Sequence, residues 1–321
     1  MTADDPAEIA KSYRSFARYE AHGRSPAYES LADAVAGDAA LVRFVASLPP
    51  GKRQPNLLFS VARYLLGAPP GIEELRDLAS RSRAEFTEVL LSRRTQTNEP
   101  ARCAMLLPAL AQLPPPLALI EVGASAGLTL LVDRYSYDYA GHRLAGRDPQ
   151  APTLRCAPSG PVPLPARLPE IVWRAGLDLN PLNVRDEDDV RWLSCLVWPG
   201  EGDREQRLAA ALASARRDPP TVHRGDLLTD LPTLVTEAPA GATLVVYHSS
   251  VLAYVAPSER AGFIATVRDL GVVWLSNEAP GVVPGLPVTS ARGEGMSVLA
   301  RDGRTPLAHT DPHGAWLRWL S

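Results

Sequence analysis

Two hydrophobic periodicities divide the chain. In its first third, apolar residues recur at helical spacing, as at Ile9 and Tyr13, and this spacing is typical of helices that bury one face. From Leu117 onward, short apolar runs alternate with helical patterns. We therefore predict an N-terminal helical domain over residues 1–113, which caps the carboxyl edge of a sheet, and an α/β domain over residues 114–321.

The second part of the chain contains seven predicted strands. Six are the runs LALIEV, IVWRAGLDL, PTVHRGDL, ATLVVYHS, GVVWLSNE and MSVLARDG, and the seventh falls near LAHT or WLRWL. Alternation of strands and helices predicts a mostly parallel, doubly wound, Rossmann-like sheet. Residues 136–170 break the alternation and are rich in Gly and Pro, so we interpret them as an insertion.

Composition narrows the function classes. The chain has 321 residues, 45% hydrophobic content and a formal net charge of -3. Neither part of the chain is basic, so we expect no nucleic-acid partner. Its 3 cysteines lack metal or disulfide spacing, which predicts no metal site. It has neither a signal-peptide pattern nor an apolar run approaching ~20 residues. We therefore expect a cytoplasmic protein without a membrane segment. The oligomeric state stays open.

The segment EVGASAG at residues 121–127 has two interpretations. Its GASAG part matches the G-x-S-x-G turn of serine hydrolases, which would make Ser125 a nucleophile. The other members of such a triad would be an acid such as Asp302 and either His309 or His313. A hydrolase, however, needs strands and an oxyanion loop upstream, where this chain is predicted to be helical.

The second interpretation is a ligand-binding loop. Small residues at Gly123, Ser125 and Gly127 allow the backbone to approach a ligand, and a helix beginning after Gly127 would present free N–H groups. Glu121, at the end of the first strand, would bind a cationic or polar group of the ligand. This interpretation depends on the polar residues that end the later strands.

Those later strand ends carry polar residues in order. Because ligands of open α/β sheets bind outside the carboxyl ends of strands, we assign Asp178 to ribose hydroxyls and Asp226 to an adenine amino group. The fourth and fifth strands end in further candidates, which are Tyr247, His248, Asn277 and Glu278.

Residues 117–320 resemble a class I S-adenosylmethionine-dependent methyltransferase. The motifs that carry this resemblance are EVGASAG, GLDLNP, RGDLL and LVVYHSSVLAYV. The whole chain also resembles a bacterial family catalogued as a domain of unknown function, through strings such as TQTNEPARCA and DPHGAWLRWL. The methyltransferase resemblance implies a seven-stranded sheet and S-adenosylmethionine as cofactor, with Arg102 near the methionine carboxylate. Ser125 stands where the usual motif has glycine, and Asp138 is the alternative ribose ligand if YSYDY is the second strand.

The predicted function is methyl transfer from S-adenosylmethionine to a small molecule. Tyr247 and His248 are the catalytic candidates, since the pKa of a histidine lies near neutrality in its unperturbed state, and Asn277 and Glu278 are the candidates for substrate binding. Three alternatives stay open: non-catalytic binding of S-adenosylmethionine, transfer of another of its alkyl groups, and a serine hydrolase based on Ser125.

Overall fold

The computed structural model describes residues 5–286 and 295–320. The chain forms two compact units, one of Met1–Thr97 with Glu187–Gln206 and the other of Asn98–Asp186 with Arg207–Ser321. The fold is α/β, as predicted. The chain leaves the first unit before residue 98 and returns to it at residue 187.

Eleven α-helices lie within the described part of the chain. They are α1 (Pro6–Phe16), α2 (Pro26–Gly37), α3 (Ala39–Ala46), α4 (Pro55–Leu66), α5 (Ile72–Ser80), α6 (Arg83–Ser92), α7 (Arg102–Leu110), α8 (Glu187–Cys195), α9 (Gly202–Arg217), α10 (Leu231–Thr236) and α11 (Pro257–Asp269). No described helix is both long enough and apolar enough to cross a membrane.

Side-chain caps and aromatic packing explain the first unit. Ser25 accepts a hydrogen bond from the Tyr28 amide and begins α2, and Gly67 ends α4 in the left-handed conformation with φ of 74°, as such caps commonly do. Phe59 of α4 packs at the centre, 5.0 Å from the ring of Tyr28 and 6.1 Å from that of Tyr13. Burial of these aromatic side chains stabilises the helical unit.

The strands of the second unit form two sheets. They are β1 (Leu117–Val122), β2 (Ser136–Tyr139), β3 (His142–Leu144), β4 (Thr153–Arg155), β5 (Ala157–Ser159), β6 (Ile171–Asp178), β7 (Val222–Arg224), β8 (Thr243–Ser249), β9 (Val273–Glu278), β10 (Ser297–Arg301), β11 (Thr305–Thr310) and β12 (Trp316–Trp319). The large sheet has 9 strands in the order β5-β12-β11-β10-β9-β8-β1-β6-β7, and the small one has the order β3-β2-β4.

The large sheet has nine strands where the sequence predicts seven. All six of the well-defined predicted strands form. The predicted seventh is two antiparallel strands, β11 and β12, because the turn at Asp311 to Gly314 separates them; Asp311 N–H donates to the Trp316 carbonyl at 3.0 Å. The insertion supplies the ninth strand, β5, which pairs with β12, and its other strands form the small sheet.

The segment after Gly127 is a second difference. The sequence predicts a full helix there, but the structure has a 3₁₀ turn over Leu128–Leu131 only. The chain enters β2 at Ser136, so residues 128–135 have room for only about two helical turns. The Leu128 amide is also capped by the Asn98 side chain at 2.8 Å.

Candidate functional site

Strands β1, β6, β7, β8 and β9 are neighbours in the large sheet and run parallel to one another. Their order creates a topological switch point beside the glycine-containing turn. Across the sheet these strands stand in the order β7-β6-β1-β8-β9. Along the chain this corresponds to the third, second, first, fourth and fifth strand of the set. In doubly wound sheets with this order, ligands bind outside the carboxyl ends of the strands where the order reverses. The reversal here lies between β1 and β8, and residues 123–127 follow β1 at that point.

The turn is built on left-handed backbone conformations. Gly123, Ser125 and Gly127 have φ of 71°, 53° and 72°, a region that favours glycine. A Cβ atom on Gly123 would lie 2.4 Å from Cγ2 of Val251, and one on Gly127 would lie 2.7 Å from Cγ of Pro220. Both glycines therefore permit close approach of other segments of the protein to the turn.

Most amides of the turn have partners within the chain. Gly123 N–H donates to the Leu177 carbonyl at 2.8 Å and Ser125 N–H to Oδ2 of Asp178 at 2.7 Å. Gly127 N–H donates to the Ala124 carbonyl at 2.7 Å. With Leu128 capped by Asn98, these groups do not form the open array of donors that a phosphate requires.

Glu121 is the buried acid at this point of the sheet. Its side chain is 4% exposed, and Oε1 accepts a hydrogen bond from the Thr129 hydroxyl. Oε2 has no hydrogen-bond partner among the described residues. Burial raises the pKa of Glu121 to about 8, against the opposing effects of the Thr129 hydrogen bond and the charge of Arg102. Glu121 is therefore largely neutral at pH 7 and ionises near pH 8.

Asp178 lies beside Glu121 at the end of the neighbouring strand. Its Oδ1 accepts from the Asn180 amide at 2.7 Å while Oδ2 holds the Ser125 amide, and its charge raises the pKa of Glu121. Asp138, the alternative ribose ligand, lies instead in the small sheet and accepts from the Gly141 amide at 2.8 Å.

The side chains of Asp226 and Arg102 form hydrogen bonds to backbone groups. Oδ1 of Asp226 accepts from the Leu228 amide at 2.7 Å, which is the turn-capping role that Asp commonly takes. Arg102 is 9% exposed, and its guanidinium donates to the carbonyls of Ser249 and Pro312, each at 3.0 Å. Arg102 also lowers the pKa of Glu121 by its charge, so it belongs to the same cluster as Glu121.

The two catalytic candidates lie on opposite faces of the sheet, because successive side chains of a strand alternate. Tyr247 is the neighbour of Glu121 across the β1–β8 pair, whereas His248 packs 5.5 Å from the ring of Phe263 on the other face. The Trp274 indole N–H donates to Nε2 of His248 at 3.0 Å. Because indole only donates, Nε2 is the acceptor, and the proton on Nδ1 is donated to Oε1 of Glu278 at 2.7 Å.

Both substrate-binding candidates, Asn277 and Glu278, are buried. The Asn277 amide donates to Oγ of Ser249 at 3.1 Å and its carbonyl accepts from the Thr310 hydroxyl at 2.7 Å. Oε1 of Glu278 accepts from His248 and from the amides of Val251 and Leu252 at 2.8 and 3.1 Å. Glu278 thus holds the segment whose Val251 side chain covers Gly123.

Sequence reasoning missed three residues that shape these groups. They are Thr129, which donates to Glu121, Val251, which packs on Gly123, and Trp274, which donates to His248. Each sits inside an apolar run, and no spacing rule distinguishes it from core residues. Among the described residues, no group of three or more His, Cys, Asp or Glu side chains is arranged to hold a metal ion.

Comparison with protein families assigns the chain to one of them. The model of a family described as "Uncharacterized protein conserved in bacteria (DUF2332)" matches residues 10–319. The chain belongs to this family. No curated protein and no solved structure matches it. The matched range includes the turn after β1 as well as Glu278, so both acidic groups described above lie within the family region.

Proposed function

We propose that this protein binds S-adenosylmethionine at the carboxyl ends of β1, β6 and β7 and transfers its methyl group to a small molecule. The observation that carries the proposal is the buried, unpartnered Oε2 of Glu121 at the switch point of the sheet. A buried carboxyl oxygen without a donor is unfavourable, and a bound ligand with a cationic or N–H group would satisfy it.

The hydrogen bonds of the turn favour this cofactor over a dinucleotide. A pyrophosphate needs free amides at the start of a helix, whereas the amides of Gly123, Ser125 and Leu128 are already bonded and only a 3₁₀ turn follows. S-adenosylmethionine has an ammonium and a sulfonium group and no phosphate. An acid such as Glu121, with Asp178 beside it for the ribose hydroxyls, fits such a ligand.

The chain's own residues would position the reactants and control one proton. S-adenosylmethionine, when bound, supplies an electrophilic methyl group on its sulfonium. A cation beside Glu121 favours the carboxylate, so binding below pH 8 would release a proton from Glu121 to solvent. Both nitrogens of His248 are hydrogen-bonded within the core, so an acceptor that is already nucleophilic is favoured. Alignment of the two reactants can then supply ~7–11 kcal/mol of the barrier.

The serine hydrolase alternative has less support. Ser125 is 4% exposed, and residues 5–116 contain no strand in the described structure. A hydrolase turn lies on a central strand, with earlier strands that provide an oxyanion loop. Binding of S-adenosylmethionine without turnover and transfer of another alkyl group both use the same site, so a measurement of products separates them from methyl transfer.

Calorimetry with matched variants tests the proposal. The wild-type chain is expected to bind both S-adenosylmethionine and its demethylated product. Glu121→Gln and Asp178→Asn should each weaken binding at least about tenfold, which corresponds to ~1.4 kcal/mol, while the control Asp138→Asn should leave the affinity unchanged. Absence of binding by the wild type would overturn the proposal, and binding without methylated product in mass spectrometry of an acceptor panel would favour the non-catalytic alternative.

A further inference from the structure

Three consecutive backbone carbonyls of the 3₁₀ turn after β1, at residues 128 to 130, each accept a hydrogen bond from a side chain. In the order of the carbonyls, the donors are the Tyr135 hydroxyl at 2.7 Å, the Cys103 thiol at 3.3 Å and the Arg174 guanidinium at 2.8 Å. Burial raises the pKa of Cys103 well above its usual value, so the thiol keeps the proton that it donates. Cys103 lies on α7 and Arg174 on β6, so side chains tie the turn to both elements.

The middle residue of these three is Thr129, which is 2% exposed. Its hydroxyl donates to Oε1 of Glu121, and Oε2 is the oxygen that stays without a partner among the described residues. A hydroxyl donates well only over about 2.5–3.0 Å, so a small displacement of the turn would break this bond. The side chains that hold the turn therefore also determine how the carboxyl of Glu121 is oriented.

Tyr135 is the donor whose contribution can be separated from packing. Its side chain is 0% exposed, and Tyr135→Phe would keep the buried ring and delete one oxygen atom. Arg174 is less suitable, because it also pairs with the buried carboxylate of Asp133 at 2.7 and 3.0 Å. Removal of Arg174 would leave that buried charge without its partner, which is strongly destabilising.

We propose that Tyr135 is a positioning residue of the S-adenosylmethionine site: its hydroxyl holds the Leu128 carbonyl and thereby keeps the Thr129 hydroxyl on Glu121. With Oε1 occupied in this way, Oε2 faces the ligand. The part that concerns the cofactor rests on the proposed function, whereas the placement of Thr129 on Glu121 does not.

Tyr139→Phe is the matched control for Tyr135→Phe. Tyr139 is 2% exposed, and its hydroxyl also donates to a carbonyl at 2.7 Å, but this carbonyl belongs to Ala104 of α7. Each variant loses one buried hydrogen bond, so both should lose a similar amount of stability to urea at pH 5. A purely structural role of Tyr135 would make the two variants alike in every other measurement.

The first distinguishing measurement is the pH at which stability declines. The other charged and titratable groups around Glu121 are Arg102 and Cys103 on α7, Asp178 on β6 and Tyr247 on β8, and both Phe variants retain them. The Thr129 hydrogen bond lowers the pKa of Glu121. Its loss in Tyr135→Phe should therefore move the decline, seen by urea denaturation between pH 5 and 9.5, to higher pH by about 0.5 unit or more. Tyr139→Phe should keep the wild-type profile.

The second measurement is the affinity for S-adenosylmethionine by calorimetry, which should fall about threefold or more in Tyr135→Phe and stay unchanged in Tyr139→Phe. Equal pH profiles and equal affinities of the two variants would overturn the proposal. If the wild type binds no S-adenosylmethionine, the proposed function fails, and the pH profile alone decides whether Tyr135 positions Thr129.

A double variant tests whether Tyr135 acts through Thr129. Addition of Tyr135→Phe to Thr129→Val should give no further shift of the pH profile, and a shift that adds in full would overturn the proposal. Circular dichroism establishes that each variant is folded. If Tyr135→Phe is unfolded, Cys103→Ala and Cys103→Ser make the same comparison at the Thr129 carbonyl. Serine retains a donor and should keep the wild-type profile, whereas an unshifted profile in Cys103→Ala would then overturn the proposal.

Discussion

Glu121 and Glu278 occupy comparable places and differ in charge. Each lies at the carboxyl end of a parallel strand, each is almost completely buried, and each has an Oε2 atom with no partner among the described residues. Yet the pKa of Glu121 is raised to about 8, whereas that of Glu278 is lowered. One acid is mostly neutral at pH 7 and the other is ionised.

The number of donors explains the difference. Glu121 receives one hydroxyl, from Thr129, while Glu278 receives an imidazole N–H and two backbone amides. Burial disfavours the charged form in both places, and only several donors can offset it. The donors to Glu278 also anchor the chain that follows β8, because two of them are the amides of Val251 and Leu252.

The largest expected effect is the loss of stability when the Glu278 side chain is removed as a hydrogen-bond acceptor. Glu278→Ala removes the acceptor of three donors, two of them in buried hydrogen bonds, and each buried donor left unsatisfied costs ~1–3 kcal/mol. We expect the free energy of unfolding in urea to fall by about 3 kcal/mol or more. Glu237→Ala, at an exposed position, should change it by less than ~0.5 kcal/mol. A similar small change for Glu278→Ala would show that the three hydrogen bonds do not stabilise the fold.

The next effect concerns the dependence of stability on pH. The folded state holds the proton of Glu121 up to about pH 8, against 4.5 for the group's ordinary pKa, so this group's contribution to stability is full below pH 4.5 and is lost as pH rises through 8. Glu121→Gln removes that loss. The variant should match the wild type near pH 5 and exceed its unfolding free energy at pH 8, by up to roughly 4 kcal/mol.

Denaturation at pH 5, 6.5 and 8 measures this difference. Glu278 provides the contrast, because its lowered pKa keeps it ionised across the same interval and places its loss of stability at more acidic pH. Parallel profiles for the wild type and Glu121→Gln would contradict the raised pKa of Glu121. A variant that gains stability but loses S-adenosylmethionine binding would indicate that Glu121 serves function at the expense of the fold.

The smallest effect tests the one donor of Glu121. Thr129→Val keeps the shape of the side chain but removes its hydroxyl. This loss should lower the free energy of unfolding by about 1 kcal/mol at pH 8. Because the Thr129 hydrogen bond lowers the pKa of Glu121, the decline in stability should also move to higher pH. Thr129→Ser retains the hydroxyl and should keep the wild-type profile; an unchanged profile in Thr129→Val would mean that Thr129 does not set this pKa.

The local sequence pattern was sufficient to predict most helices and strands, but not to predict how they assemble. Short apolar runs located β1, β6 and β8, and the cap at Ser25 located the start of α2. The helix predicted after Gly127 was wrong, because only a 3₁₀ turn forms before the chain enters β2 at Ser136. The ninth strand of the large sheet likewise depends on the pairing of β5 with β12, which are far apart in the chain. Such a pairing gives no signal in the local sequence pattern.

The sequence by itself determined the α/β class, the glycine-containing turn and the acids that end the strands, because these depend on side-chain periodicity and on residue type at neighbouring positions. Tertiary structure alone decided that Trp274 fixes the proton of His248 on Nδ1, and that Glu121 and Glu278 differ in charge. The physical reason is that hydrogen-bond partners and burial come from residues far apart in the chain, and these set the ionisation of an acid.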